Sequence, residues 1–290
     1  MKYISINGLI TPIEQAVVSV MDHGFLYGMG LFETMRTYNG RPFLLDRHLR
    51  RLQTSCASLG IRWSMTTEQV ERQMSDLMQA NELQEAYLRY TISAGEDILG
   101  LPSGAYTEPN VIIYAKSLPT ASIRPTKSLR KLHTVRNTPE GDIRLKSLHY
   151  MNSILGKREL LLYADEPAAS VEGLMLTAEG HLAEGIVSNV FFIKEDILYT
   201  PSVDTGILPG ITRAWVMELA EQQGLSVEKG LYTWAQLIDA DEVFVTNSVQ
   251  EIVPIIRLLD DDHEVIVGDG QIGQHTAMLC TVYEREAYRT

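Results

Sequence analysis

RLKSLHYMNSILGKRELLL (residues 144–162) sets a lysine between a strand-like stretch and a helix. Residues 129–136 read as the strand and residues 147–162 as the helix. Lys146 stands at their junction, where an amine could be held to an aldehyde as a Schiff base, leave it, and then act as a base. A lone lysine is more often a solvated surface charge, so the reading needs partners elsewhere in the chain. Downstream, LAEGIVSNVF (residues 182–191) places Glu184 among small and apolar residues. Such a carboxylate could keep a pyridine nitrogen protonated, although an ordinary turn carboxylate is the plainer reading. Gly210-Ile-Thr-Arg213 then opens an apolar helix over residues 212–223, so Thr212 and nearby N–H groups could receive a phosphate, or simply cap the helix.

Working outward, the N-terminal third reads as strands with helices inserted. Residues 3–7, 16–20, 31–38 and 42–45 are β-rich, and Asn39-Gly40 marks a tight turn. Asp46 offers an N-cap for a helix through Leu49, Leu52, Cys56 and Leu59 that Gly60 stops. Thr66 and Gln69 match a capping box ahead of Val70, Met74, Leu77 and Met78. Strands at 86–93 and 111–115 follow. The stretch SLPTASIRPTK (residues 117–127) reads as an interdomain linker. Beyond it come short strands, including 243–246 and 252–255, and a last helix near Gln271. Many strands with segregated helices predict an α+β protein: an N-terminal domain over 1–116, the linker, and a C-terminal domain over 128–290 that carries Lys146.

Other chemistries lack their signatures. Gly28-Met29-Gly30 is missing the third glycine and the βαβ context of a dinucleotide fingerprint. The seven histidines form no HExxH or HxxxH pair, so no metal is expected, and no GxSxG elbow occurs. A net charge of −12 argues against nucleic acid and anionic membranes as partners. No apolar run reaches the roughly 18 residues that span a bilayer, and MKYISINGLI has no signal-peptide core. Cys56 and Cys280, far apart in helix-like stretches, read as reduced core thiols of a cytoplasmic protein. An anionic substrate would need local arginines set against the global field.

Taken together, the blocks DHGFLYGMGLFET (22–34), HLRRL (48–52), RLKS (144–147), AEGIVSNVF (183–191), GILPGITR (206–213) and DEVFVTNS (241–248) resemble one family. It is the fold-type IV, or class IV, pyridoxal 5'-phosphate (PLP) enzymes, which include branched-chain and D-amino-acid aminotransferases and aminodeoxychorismate lyases. The resemblance implies an N-terminal α/β sandwich, a C-terminal pseudo-barrel, PLP between them, and a homodimer. Carried over by motif, Lys146 binds the cofactor aldehyde and Glu184 pairs with the pyridine nitrogen. Arg51, Ile211, Thr212 and Ser248 hold the phosphate, Leu208 packs on the ring, and Tyr150 reaches the phenolic oxygen.

Within the family, the block ending Gly30-Leu-Phe-Glu-Thr34 resembles the lyases, which carry threonine where branched-chain transaminases carry glycine. Thr34 is then a catalytic acid, although threonine is also common in strands for packing alone. Arg136-Asn-Thr-Pro-Glu-Gly141 likewise looks like the Bacillus-type lyases. The implied reaction turns 4-amino-4-deoxychorismate into 4-aminobenzoate and pyruvate, a step toward folate. Arg36 and Arg89 are candidates for its two carboxylates, with Tyr27 a further substrate contact. An aminotransferase for D- or branched-chain amino acids is the alternative, and a PLP carrier without turnover a third reading.

Overall fold

A computed structural model describes all residues except 103, 119–124, 164–168, 262 and 290. Backbone contacts divide the chain into two units: Met1–Thr120 with Leu145–His149 and Ala287–Thr290, and Ala121–Arg144 with Tyr150–Glu286.

In the first unit, β1 (Tyr3–Ile6) and β2 (Leu9–Pro12) form a hairpin, followed by the short helix α1 (His23–Tyr27). Then come β3 (Gly30–Tyr38), β4 (Arg41–Pro42), α2 (Leu45–Ser58), α3 (Thr67–Ala80), β5 (Ala86–Ser93) and β6 (Asn110–Ser117). The described strands make a sheet in the order β2-β1-β6-β5-β3-β4, antiparallel throughout. Asn39 and Gly40 both take positive φ, 52° and 75°, as a two-residue hairpin turn requires.

Strand alternation sends Leu31, Met35, Leu88, Tyr90, Ile92 and Ile113 into one core beneath α2 and α3. Phe32, Thr34 and Arg36 consequently share the opposite face of β3. The capping box is formed, with Thr66 and Gln69 exchanging bonds at the start of α3. Helix α2 begins at Leu45, two residues earlier than Asp46 as N-cap would set it. Leu44 is the cap, in the left-handed region at φ 54°. Asp46 lies instead in the first turn, where its charge suits the helix N-terminus and its carboxylate accepts from Thr67 at 2.9 Å. Residues 16–20 do not form the expected strand: Val17, Val18 and Val20 are exposed, and β-propensity without a partner strand does not build one.

The second unit holds β7 (Lys127–Lys131), α4 (Met151–Leu160), β8 (Val171–Leu176), β9 (Leu182–Gly185), β10 (Asn189–Lys194) and β11 (Ile197–Pro201). It continues with α5 (Ile211–Gln222), β12 (Ser226–Gly230), α6 (Trp234–Ile238), β13 (Glu242–Asn247), β14 (Glu251–Leu259), β15 (Glu264–Ile266) and α7 (Gln274–Ala287). The sheet order is β12-β11-β10-β13-β14-β7-β8-β9, with β15 beside β14. The sheet curls into a pseudo-barrel, bringing β9, at the end of that order, against β10 and β11. Leu174, Leu182, Val190, Phe192, Val243 and Val253 fill its core. The linker reading at 117–127 falls largely on 119–124, outside the described residues; Ser117 ends β6 and Lys127 begins β7. Cys56 and Cys280 are free, buried thiols on α2 and α7, and burial pushes Cys56 up to about 12.

The reading of Lys146 as a strand-to-helix junction in the C-terminal domain needs correction. Leu145–His149 groups with the first unit, because its backbone is spent on β3. The Phe32 N–H donates to Lys146 O at 2.9 Å and the Leu148 N–H to Gly30 O at 3.0 Å. With these groups engaged, the helix begins only at Met151. Gly28-Met29-Gly30 thereby acquires a role: a Cβ on Gly30 would lie 2.6 Å from Ile92 O and 2.7 Å from a Leu148 methyl. On Gly28, whose φ is 70°, a Cβ would lie 2.5 Å from the His149 ring.

Gly30→Ala should therefore strain the attachment of Lys146. We expect a loss of about 1–3 kcal/mol in urea unfolding, whereas Gly104→Ala, with open space around it, should change stability by under about 0.5 kcal/mol. Equal midpoints for the two variants would contradict the close-approach argument.

Candidate functional site

Functional side chains occur in both units. In the first, the Lys146 ammonium lies 4.5 Å from the Phe32 ring centroid, and the Arg89 guanidinium carbon lies 3.6 Å from the same centroid. Two cations thus share one aromatic ring, an arrangement the ring quadrupole favours for each. Thr34 lies directly opposite Arg89 in the β3–β5 register, and Arg36 opposite Tyr87. Arg89 also donates to the Thr91 hydroxyl at 3.2 Å, and the Arg36 guanidinium lies over the Tyr38 ring at 4.7 Å. Lys146, Thr34 and Arg89 are therefore gathered around Phe32, with Arg36 on the same face of β3.

Beneath this sheet, on the face toward α2, Arg51 makes a two-pronged bond to Glu33, with Nε to Oε1 at 2.8 Å and a terminal nitrogen to Oε2 at 2.6 Å. His48 Nδ1 meets Glu33 Oε2 at 2.6 Å. Burial alone would raise the Glu33 carboxyl, but the Arg51 charge, with hydrogen bonds from His48 and Arg51, holds it at about 2. Burial pushes the His48 pKa below its ordinary value against the pull of Glu33, helped by the positive charges of Arg51 and Lys146. A neutral His48 donates from Nδ1 to the ionised Glu33, and Glu33 in turn fixes the Arg51 guanidinium. Tyr27 has different company: its hydroxyl accepts from the Gly100 N–H at 2.9 Å, its carbonyl meets the His149 ring at 3.2 Å, and its own ring stands edge-on to His23.

In the second unit, Glu184 lies near the end of β9 with both oxygens engaged. Oε1 accepts from Arg136 Nε at 2.8 Å; Oε2 accepts from the Leu208 N–H at 3.0 Å and from the Asn189 amide at 3.3 Å. That amide also donates to Leu208 O at 3.0 Å. Arg144 stands 3.8 Å from Glu184 and is clamped to Gly206 O and to Asn137. Both Glu184 oxygens thus accept N–H groups of this chain. Helix α5 opens at Gly210, which offers no side-chain cap. A Cβ there would lie 2.1 Å from the Asn189 amide oxygen. Ile211 is the first helical residue, and the Thr212 and Ser248 hydroxyls stand 3.3 Å apart. Uncapped N–H groups beside two hydroxyls make an anion cup. Tyr150 is half-exposed at the start of α4.

The structure thus joins Glu184 to Leu208 and Thr212 to Ser248, and it sets Lys146 and Arg89 on one ring with Thr34 opposite Arg89 in register. Sequence reasoning missed Arg136 and Asn189 as partners of Glu184, and Glu33 with His48 as the support of Arg51. Their signal was electrostatic: a carboxylate among apolar residues demands a buried counter-charge, and Arg136 and Arg144 were the nearest cations before Lys146 in the chain.

The family model for amino-transferase class IV matches residues 30–258. An aminodeoxychorismate lyase of Bacillus subtilis (strain 168) is 41% identical over 98% of this chain and 94% of its own. A D-alanine aminotransferase of Bacillus licheniformis is 30% identical over 96% of this chain and 94% of its own. Among solved structures, the branched-chain amino acid aminotransferase of Escherichia coli superposes with a TM-score of 0.85 at 28% identity. That match covers 98% of this chain and 94% of that one.

The Glu33 cluster predicts a pH-dependent stability. A carboxyl depressed from 4.5 to about 2 contributes stability present above its unfolded value and lost as pH falls through that window. Glu33→Gln should cost on the order of 3 kcal/mol near neutrality, and the gap to the parent should close between about pH 4.5 and 2. Urea unfolding across that range checks it; a gap independent of pH would remove the ion pair from the account.

Proposed function

Because the chain belongs to the class IV amino-transferase family, we propose that it is a PLP-dependent lyase that converts 4-amino-4-deoxychorismate into 4-aminobenzoate and pyruvate. The fold is that of fold-type IV enzymes. The donor set fits PLP: an amine at Lys146, a carboxylate at Glu184 bonded to Arg136, and an anion cup at Ile211, Thr212 and Ser248. When bound, PLP supplies an aldehyde for an amine and a ring that draws electrons from the substrate carbon.

The protein's own groups do the rest. Glu184, already bonded to Arg136, would bond the ring nitrogen. Arg51, oriented by Glu33, would be one phosphate ligand, and the α5 groups with Ser248 would be others. Leu208 would pack on the ring and Tyr150 would bond its phenolic oxygen. Lys146 would hold the aldehyde and, when free, would serve as base for the C4 proton. Thr34 delivers a proton to the departing enolpyruvyl oxygen, and Arg36 and Arg89 bind the two substrate carboxylates.

The observation that supports the lyase reading is Thr34 standing opposite Arg89 in the β3–β5 register, with Arg89 and Lys146 sharing the ring of Phe32 two residues before it. An aminotransferase would use the same Lys146 and Glu184, and the 30% identity to a D-alanine aminotransferase keeps that activity as the second reading. We further propose that the enzyme serves folate synthesis in the cytoplasm as a homodimer. Exposed Leu9, Ile10, Val17, Phe25, Leu99 and Leu101 of the first unit support a second copy as partner. Among the described residues, no helix is long and apolar enough to cross a membrane.

Purified protein given aminodeoxychorismate, with no keto acid, should release pyruvate and 4-aminobenzoate. Conversion only when a keto acid is added would make it an aminotransferase. Thr34→Val should lower pyruvate release by about 10²–10⁴-fold while PLP uptake stays unchanged, and Thr34→Ser should retain substantial activity. Parental rates in both variants would leave Thr34 a packing residue.

A further inference from the structure

Two turns at one end of the second sheet carry groups assigned above to opposite ends of the cofactor. Residues 186–188 join β9 to β10, between Glu184 and Asn189; residues 248–250 join β13 to β14 and begin with Ser248. Asn189 pairs with Thr246 across β10 and β13, so the two turns are neighbours. Each has one buried charged residue behind it. Glu172 on β8 is 6% exposed and its carboxylate lies against Gly185; burial pushes its pKa up, and Lys127 and the Val187 and Ile186 N–H groups pull against that. Its Oε1 has no hydrogen-bond partner, and neither does the Ser188 hydroxyl. A Cβ on Gly185 would lie 2.1 Å from that hydroxyl and 3.0 Å from Oε1. Lys127 on β7 is 8% exposed and donates to the Gln250 side chain at 3.3 Å. Gln250 is itself locked to Asn247, its N–H donating to the Asn247 side chain at 2.8 Å and its side-chain oxygen accepting at 3.2 Å.

The strands bearing the two charges are adjacent, with Leu129 opposite Glu172. Each charge acts on the other, and Lys157 adds a second positive charge near both. Burying two charges is costly, and apolar side chains of similar size would pack there at least as stably. What apolar side chains would lack is reach: one charge holds the N–H groups of the first turn, and the other the latch of the second.

We propose that Lys127 and Glu172 are positioning residues that fix the spacing between the turn bearing Glu184 and Asn189 and the turn bearing Ser248, and so set the grip on both ends of the cofactor. The inference rests on the roles given above to Glu184 and Ser248. Lys127 acts on the phosphate end through Gln250, and Glu172 on the pyridine end through the 186–188 turn.

The test uses the apo form of the full chain, titrated with PLP and separately with pyridoxal, which lacks the phosphate. The parent is compared with Lys127→Met, Lys127→Arg, Glu172→Gln and the Lys127→Met/Glu172→Gln double variant; binding is read from cofactor absorbance and apo stability from thermal unfolding. Lys127→Met should weaken PLP about tenfold while pyridoxal binding changes little, and Lys127→Arg should restore most of the loss. Glu172→Gln should weaken both ligands, and the double variant should lose less than the product of the single effects. The proposal is overturned if all variants bind PLP like the parent, or if Lys127→Met weakens PLP and pyridoxal equally in step with apo stability. Should Lys127→Met fail to fold, Lys127→Gln takes its place with the same two ligands and the same expected selectivity for PLP. A parent that takes up no PLP overturns the functional reading itself, which is a separate outcome from a parent that binds while its variants are unaffected.

Discussion

Two backbone hydrogen bonds, Phe32 N–H to Lys146 O and Leu148 N–H to Gly30 O, fix Lys146 on the first unit although residues 121–144 and 150–286 on either side belong to the second. An amine that must find one carbon reproducibly needs a backbone that does not drift. A sheet edge supplies that better than a loop, because each pleat offers a bond in register. The bonds in turn require close approach, and this is what Gly28 and Gly30 permit. The same register sets Thr34 opposite Arg89 and turns Phe32 toward both cations, so the grouping on this face follows from strand geometry.

Glu33 and Glu184, one in each unit, obey one rule: each carboxylate is held by an arginine plus a neutral donor. Glu33 has Arg51 and His48; Glu184 has Arg136 with Asn189 and the Leu208 N–H. The consequences differ. Glu33 is saturated from the α2 side and serves to aim Arg51. Glu184 lies beside a turn whose flanking Gly185 has no room for a larger side chain at its closest contacts. Glu172 departs from the rule: it has backbone donors, an unpartnered oxygen and only distant cations, and its carboxyl is accordingly pushed up, by burial first.

Local chemistry was legible in the sequence, and non-local pairing was not. The Asn39-Gly40 turn and the Thr66–Gln69 box are set by residues within a few positions of one another, and both formed. Strand 86–93 was bounded by its own composition and appears with those bounds. Residues 16–20 had the composition of a strand but no partner. The helix expected from residue 147 lost its first turn to β3, more than a hundred residues away in the chain. The residues proposed to hold the cofactor, Lys146, Glu184, Thr212 and Ser248, were named from the sequence because motif blocks carry them. Their supports, Arg136, Asn189 and the Glu33–His48 pair, were not, because a supporting residue is defined by what folding brings beside it.

The net charge of −12 sets a last constraint on how such a chain handles an anionic ligand. Unscreened, it would repel a dicarboxylate. At physiological salt, exposed charges fade over about 8 Å, so a surface distribution of carboxylates weighs little against a cation in direct contact. What matters is whether that cation is already neutralised. Arg51 and Arg136 are paired with the Glu33 and Glu184 carboxylates. Arg89, half-buried, meets the Phe32 ring and the Thr91 hydroxyl, neither of which cancels its charge. A guanidinium held by a quadrupole and a hydroxyl keeps its full attraction for a carboxylate while its orientation is fixed. The acidic chain thereby keeps one face of the β3–β5 pair receptive to anions.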